Sequence, residues 1–175
     1  MAAIPAYPCS PDPHRWYALY VRSRHEKVVQ QSLQGRGYSA FSPFYRTRRK
    51  RSDRTKELDV PLFPGYVFCQ FDPSVRLPIL TTPGVVFVVG AGNIPEPVED
   101  SEIASIQTVT QSGNPVQPWP FLQAGQKVRI LAGPLYGVEG RLLKVKNEYR
   151  LIISVTLLQR SLAMEVDQDS VAPVF

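Results

Sequence analysis

The stretch "PLFPGYVFCQF", residues 61–71, constrains the fold more than any other. After Gly65 it alternates as a strand: Tyr66, Phe68 and Gln70 share one face, and Val67, Cys69 and Phe71 share the other. Both faces carry large apolar side chains. A strand in a small domain normally buries one face, so the other must be covered by a further layer of the chain or by a partner. Large apolar residues are mostly core, yet exposed aromatic clusters mark interaction sites. The pattern alone leaves both readings open.

The neighbouring segments predict the rest of that layer. "RWYALYV" reads as a strand, with Trp16, Ala18 and Tyr20 on one face. In the segment that follows, Ser23 and Glu26 have capping-box spacing, which predicts a helix start. Val28, Val29 and Leu33 form its apolar stripe, and Gly35 or Gly37 stops it. "YSAFSPFYRT" and "ELDVPL" predict a hairpin whose long tip is charged and solvated. "LPILTTPGVVFVVG" predicts a turn at Pro83-Gly84 and another strand. A helix is expected from about Glu99, with Ile103, Ile106 and Val109 at helical spacing. The sum is an α+β domain over residues 15–110, an antiparallel sheet carrying its helices on one face.

"QSGNPVQPWP" is rich in Pro and Gly and predicts a linker over residues 111–121. Beyond it the texture changes to short strands without helical signal, which predicts a small all-β barrel over residues 122–175. Residues 1–14 hold four prolines and predict a flexible leader. They lack the basic start and apolar core of a secretory signal.

Chemistry is limited. Two cysteines, Cys9 and Cys69, fit a reducing cytoplasm and no disulfide framework. Together with His14 and His25 they show no metal-ligand spacing, so no metal or other cofactor is expected. No nucleophile–base set, phosphate loop or dinucleotide fingerprint is present, and an enzyme is not expected. No apolar run approaches the roughly 20 residues of a membrane-spanning helix, so no membrane partner is expected.

The net charge is +5 and unevenly spread. Arg46, Arg48, Arg49, Lys50, Arg51, Arg54 and Lys56 crowd the hairpin tip, with Asp53 the only acid among them. Arg22, Arg24, His25 and Lys27 add charge at the first helix. A charge run is often just a solvated loop. A wholly basic run on an extended hairpin also suits phosphate contacts without base specificity, which are sensitive to salt.

"RWYALYVRSRHEKVVQQSL", "VPLFPGYVFCQF" and "TTPGVVFVVG", in this order, resemble the N-terminal (NGN) domain of the NusG family of transcription elongation factors. "AGQKVRILAGPLYGVEGRLLKV" resembles the KOW motif of an SH3-like barrel that follows it in that family. The wording is most similar to the specialised UpxY and RfaH types, which suppress pausing and termination in particular operons. The resemblance implies a monomeric, non-enzymatic elongation and antitermination factor. In the family an apolar patch grips the clamp helices of the largest catalytic subunit of RNA polymerase, and Tyr20, Tyr66 and Phe68 occupy matching positions. Trp16 could extend the patch. Thr81 and Thr82 fall where the family faces the other side of the main cleft. Arg22, Arg24 and His25 lie where specialised members touch the non-template DNA strand, and Arg48, Arg49, Lys50 and Arg51 are expected to add nucleic-acid contacts. In the KOW domain, Leu157, Leu158 and Arg160 align with the segment that contacts a small-subunit ribosomal protein or Rho. Leu158 stands where general NusG proteins often carry an aromatic, which disfavours Rho. RfaH can fold this region as a helical hairpin that masks the polymerase patch, but the alternation in "RLIISVTL" predicts a barrel here. The alternatives are a housekeeping NusG and a ribosome-associated KOW protein that binds RNA.

Overall fold

The computed structural model describes residues 15–51, 54–121, 125–145 and 148–174. The side chains of residues 49–51, 54–56 and 168 lie outside that description, as does the predicted leader.

The chain begins with β1 (Trp16–Val21), α1 (Glu26–Gly35) and the short β2 (Ala40–Phe41). The hairpin β3 (Phe44–Arg51) and β4 (Arg54–Pro61) forms a two-stranded sheet of its own and leads into β5 (Tyr66–Gln70). Then come α2 (Leu77–Leu80), β6 (Val85–Val88), the two-residue strands β7 (Gly90–Ala91), β8 (Ile94–Pro95) and β9 (Pro97–Val98), and α3 (Asp100–Gln111). In the main N-terminal sheet the order is β2-β5-β1-β6, every pairing is antiparallel, and β9 joins the start of β1.

Alternation sends the two halves of each strand into different cores. Tyr17, Leu19 and Val21 of β1, with Val67, Cys69 and Phe71, pack under Val29 and Leu33 of α1. Ala18 and Phe68 belong to the opposite core, which contains Ile103, Ile106 and Val109 of α3. The helices therefore lie on opposite faces of the sheet, where the sequence predicts one shared face. Helical periodicity identifies the apolar stripe of α3, but the connection through β9 decides which face receives it. The second face of β5 is thus covered from within the chain over most of its length.

The remaining strands are β10 (Val116–Pro120), β11 (Gln126–Ile130), β12 (Glu139–Val145), β13 (Glu148–Val155), β14 (Arg160–Val166) and β15 (Val171–Pro173). They form one antiparallel sheet in the order β10-β14-β13-β12-β11-β15, the all-β unit the sequence predicts. Nearly half of the predicted linker is β10, paired with β14 from Val116↔Met164 to Pro120↔Arg160. Pro118 and Pro120 are tolerated because β10 is an edge strand, where missing N–H donors leave no ladder gap. Only residues 112–115 connect α3 to the all-β unit. Leu151, Ile153, Leu158 and Leu162 of that unit continue the core of Phe68 and α3, so the helix is packed between sheet and barrel.

Candidate interaction surface

At one end of the main sheet the faces are not fully covered. Tyr20 pairs in register with Tyr66 on one side and Phe87 on the other. Their rings form a continuous cluster: Tyr20 meets Tyr66 edge-on with centroids 5.6 Å apart, and stacks on Phe87 at 5.0 Å. Tyr20 is 38% and Phe87 49% exposed, far more than an aromatic group has in a core. Sequence reading missed Phe87. The alternation of "VVFV" reveals a strand, but only the register with β1 reveals which residue lands beside Tyr20.

Two residues expected in this patch are elsewhere. Phe68 is fully buried, edge-on to Phe63 at 5.8 Å, and is a core residue. It shares a face with Tyr66, but α3 covers that face two residues further along. Trp16 is half-buried at the far end of β1, opposite Gln70 and Val98, and packs on the core.

The turns that hold the patch converge on the start of α1. Gly65, with φ +83°, lets the chain turn into β5, and a Cβ there would lie 3.3 Å from the Tyr20 ring. Gly84, with φ +100°, brings the turn before β6 against α1, where a Cβ would lie 2.8 Å from Val29 Cγ2. Glu26 ties the first of these turns down. Its carboxylate is buried and accepts from Gly65 N at 2.9 Å. The capping box with Ser23 is therefore not formed: the glutamate reaches across to another strand, and the His25 side chain at the helix start makes no capping bond. Replacing Glu26 with Ala should cost about 1–3 kcal/mol by stranding the Gly65 N–H. Replacing it with Gln, whose carbonyl still accepts, should retain most of the stability; urea denaturation of both variants measures the difference.

The other expected residues divide clearly. Arg22, Arg24 and His25 are all exposed on the turn beside the patch. Thr81 is exposed, its hydroxyl donating to Leu77 O at 2.9 Å. Thr82 is only 1% exposed; its hydroxyl donates to Pro78 O and accepts from Arg36, so it is structural rather than available to a partner. Arg48 is exposed and paired with Glu57 at 3.2 Å. The backbones of Arg49, Lys50 and Arg51 lie in β3, but their side chains are not among those described.

The all-β unit meets the patch directly. The Arg160 guanidinium lies over the Tyr66 ring at 5.4 Å, a cation–π contact. Leu158 is nearly buried and Leu157 half-buried against the shared core. At the adjoining turn the Glu102 carboxylate of α3 accepts from Thr156 Oγ1 at 2.7 Å and from Thr156 N at 3.2 Å. The segments expected to bind two different partners therefore face one another.

Titratable chemistry is sparse. Burial pushes the Cys69 thiol up to about 12, so it is an inert core group. Lys27 and Arg46 hold the Asp59 carboxyl below its ordinary range, chiefly through the 2.7 Å bond from Lys27. Lys127 and Arg129 do the same to Glu139.

Comparison with known proteins agrees with this architecture. The family profile described as "Transcription termination factor nusG" matches residues 14–107. The transcription termination/antitermination protein NusG of Pseudomonas aeruginosa is 28% identical over 174 residues, covering 91% of this chain and 98% of that protein. NusG of Escherichia coli K12 is 31% identical over 168 residues, covering 87% of this chain and 92% of that protein. A solved structure described as "Domain interaction in Thermotoga maritima NusG" shares the fold, with a TM-score of 0.52 at 20% identity over 92% of this chain and 97% of that one.

Proposed function

Because the chain belongs to the NusG family and is a NusG-like transcription termination/antitermination factor, we propose that it acts without catalysis, docking the clamp helices of the largest RNA polymerase subunit through Tyr20, Tyr66 and Phe87. The observation that carries this is the half-exposed aromatic cluster at the uncovered end of an otherwise closed sheet. Docked there, the domain bridges the cleft, with Thr81 toward its other side and Arg22, Arg24 and His25 beside the non-template strand. Holding the clamp closed disfavours the paused state by as much as the factor's affinity differs between the two states. Action confined to particular operons is part of the proposal. The test is retention of the chain on core RNA polymerase, followed by pausing assays on non-template strands of varied sequence. No effect on elongation from any template would overturn it.

The barrel would engage a small-subunit ribosomal protein through Leu157, Leu158 and Arg160. The contact of Arg160 with Tyr66 makes the two docking events compete with the closed arrangement and, through it, assist each other. An RNA-binding barrel has less support: Lys127 and Arg129 are engaged by Glu139, and Arg150 by Glu148 and Glu165. Glu102 is the group to remove. Glu102→Ala deletes its bonds to Thr156, worth about 1–2 kcal/mol. That should raise the open fraction and the apparent polymerase affinity by about five- to thirtyfold. Fluorescence transfer between labels on the two units reads the opening directly.

A further inference from the structure

Given the docking arrangement proposed for this domain, on which the inference rests, we propose that Arg36 is the positioning residue for Thr81. It meets no partner itself and holds the segment that reaches the far side of the cleft.

That segment needs support from outside. α2 has four residues, and a helix so short does not hold itself together in water. Its last carbonyls have no donors within the helix. Thr81 N bonds to Leu77 O, and Thr82 N steps back only three residues, to Ile79 O. Among the described residues no backbone N–H reaches Pro78 O. Side chains take its place. Arg36 Nη1 donates to Pro78 O at 2.9 Å and to Thr82 Oγ1 at 3.1 Å, and the Thr82 hydroxyl donates to Pro78 O at 3.0 Å. Each of the three groups therefore bonds to the other two.

The support is itself fixed. Arg36 follows the last residue of α1, where a cation also complements the helix dipole. Its N–H bonds to the carbonyl of Leu33, whose side chain is fully buried. On the other side Arg76 Nη1 donates to Asn93 O at 2.6 Å, tying the start of the segment to the turn between β7 and β8. Ile79 and Thr82 are buried, and Leu77 and Thr81 remain outside.

Thr81 and Thr82 share one planar peptide unit, so fixing the buried hydroxyl fixes its exposed neighbour. The clamp also reaches the aromatic cluster. Val85 N bonds to Thr82 O, and Val85 opens β6, the strand of Phe87. Arg36 thus sets the spacing between the two ends of the bridge. A loose end would have to be ordered on docking, at a cost in affinity for the bridged state.

Two measurements on the full chain test this. In amide exchange of the free protein, Arg36→Ala should speed the Thr81, Thr82 and Val85 amides at least about tenfold, the loss of one hydrogen bond from a charged donor, and leave those of β1 unchanged. In pausing assays at saturating factor, the same variant should dock on core RNA polymerase within about threefold of wild-type affinity. It should lose the same part of pause suppression as Thr81→Ala, and the two substitutions together should lose no more than either alone. Thr82→Val removes the buried acceptor, leaves the guanidinium charge in place, and should reproduce the loss. Thr82→Ser keeps the hydroxyl and should retain wild-type suppression. Unchanged exchange, full suppression by Arg36→Ala, or additive losses in the double variant would each overturn the proposal. So would full suppression by Thr82→Val where Arg36→Ala has lost it, because Arg36 would then meet the partner directly. A wild-type chain that fails to dock would instead overturn the docking arrangement, and exchange in the free protein would still decide whether Arg36 holds the segment.

Discussion

Phe68→Ala lowers the folding free energy by about 3–5 kcal/mol, the range for truncating a buried aromatic side chain. Phe68 is fully buried, flanked by Phe41 at 6.2 Å and Phe63 at 5.8 Å, and paired with Ala18 on the neighbouring strand. Alanine there leaves a cavity between the sheet and α3, in a core that runs on into the barrel. The expected signature is a lower urea midpoint with an unchanged m-value. Polymerase affinity should fall only by the fraction unfolded. A variant that folds with wild-type stability would place Phe68 outside the core. The distinction matters because Tyr66, two residues away on the same face, is a docking residue in our proposal; a joint substitution of both would confuse unfolding with lost contact.

Tyr20→Ala combined with Phe87→Ala should produce the opposite signature. Both rings are about half in solvent, so stability should drop by far less than for Phe68. Binding should drop much more. Aromatic anchors at an interface centre cost 2 kcal/mol or more each when truncated, so the pair should weaken polymerase binding at least about a hundredfold. Biosensor titration of core polymerase, with circular dichroism as the folding control, measures both quantities. Wild-type affinity from a folded double variant would remove the aromatic cluster from the docking surface. The stacking of Tyr20 on Phe87 predicts some coupling, so the double loss need not equal the sum of the single losses.

The sequence exposed the periodic features and hid those set by three-dimensional register. Alternation in β5 correctly places Tyr66 and Phe68 on one face, and the stripe Ile103, Ile106, Val109 is the buried side of α3. What covers that face is a property of chain path, so the pattern leaves Phe68 open between core and patch, the resemblance assigns it to the patch, and only the placement of α3 makes it core. Phe87 becomes visible only once β6 is registered against Tyr20. Thr82 looks like its neighbour Thr81, yet a bond from Arg36, far away in sequence, satisfies it in the interior. Glu26 carries a local helix-start signal and spends its carboxylate on Gly65 instead, a long-range bond that outcompetes the local cap. The short helix α2 is absent from the sequence reading because four residues are too few to show helical periodicity; its Pro78 sits in the first turn, where proline is accommodated.

The pairing of β10 with β14 has a consequence for modularity. The compositional border runs through residues 111–121, but the physical border is the short connection at 112–115. A chimera joined at residue 121 would strip β10 from the barrel and leave β14 as a bare, pairable edge, open to association with other chains. A chimera joined before Val116 transfers the barrel with its edge already covered. Exchange of the C-terminal unit between relatives, in the laboratory or in evolution, therefore has one safe crossover point, and it lies upstream of where the proline-rich composition invites the cut.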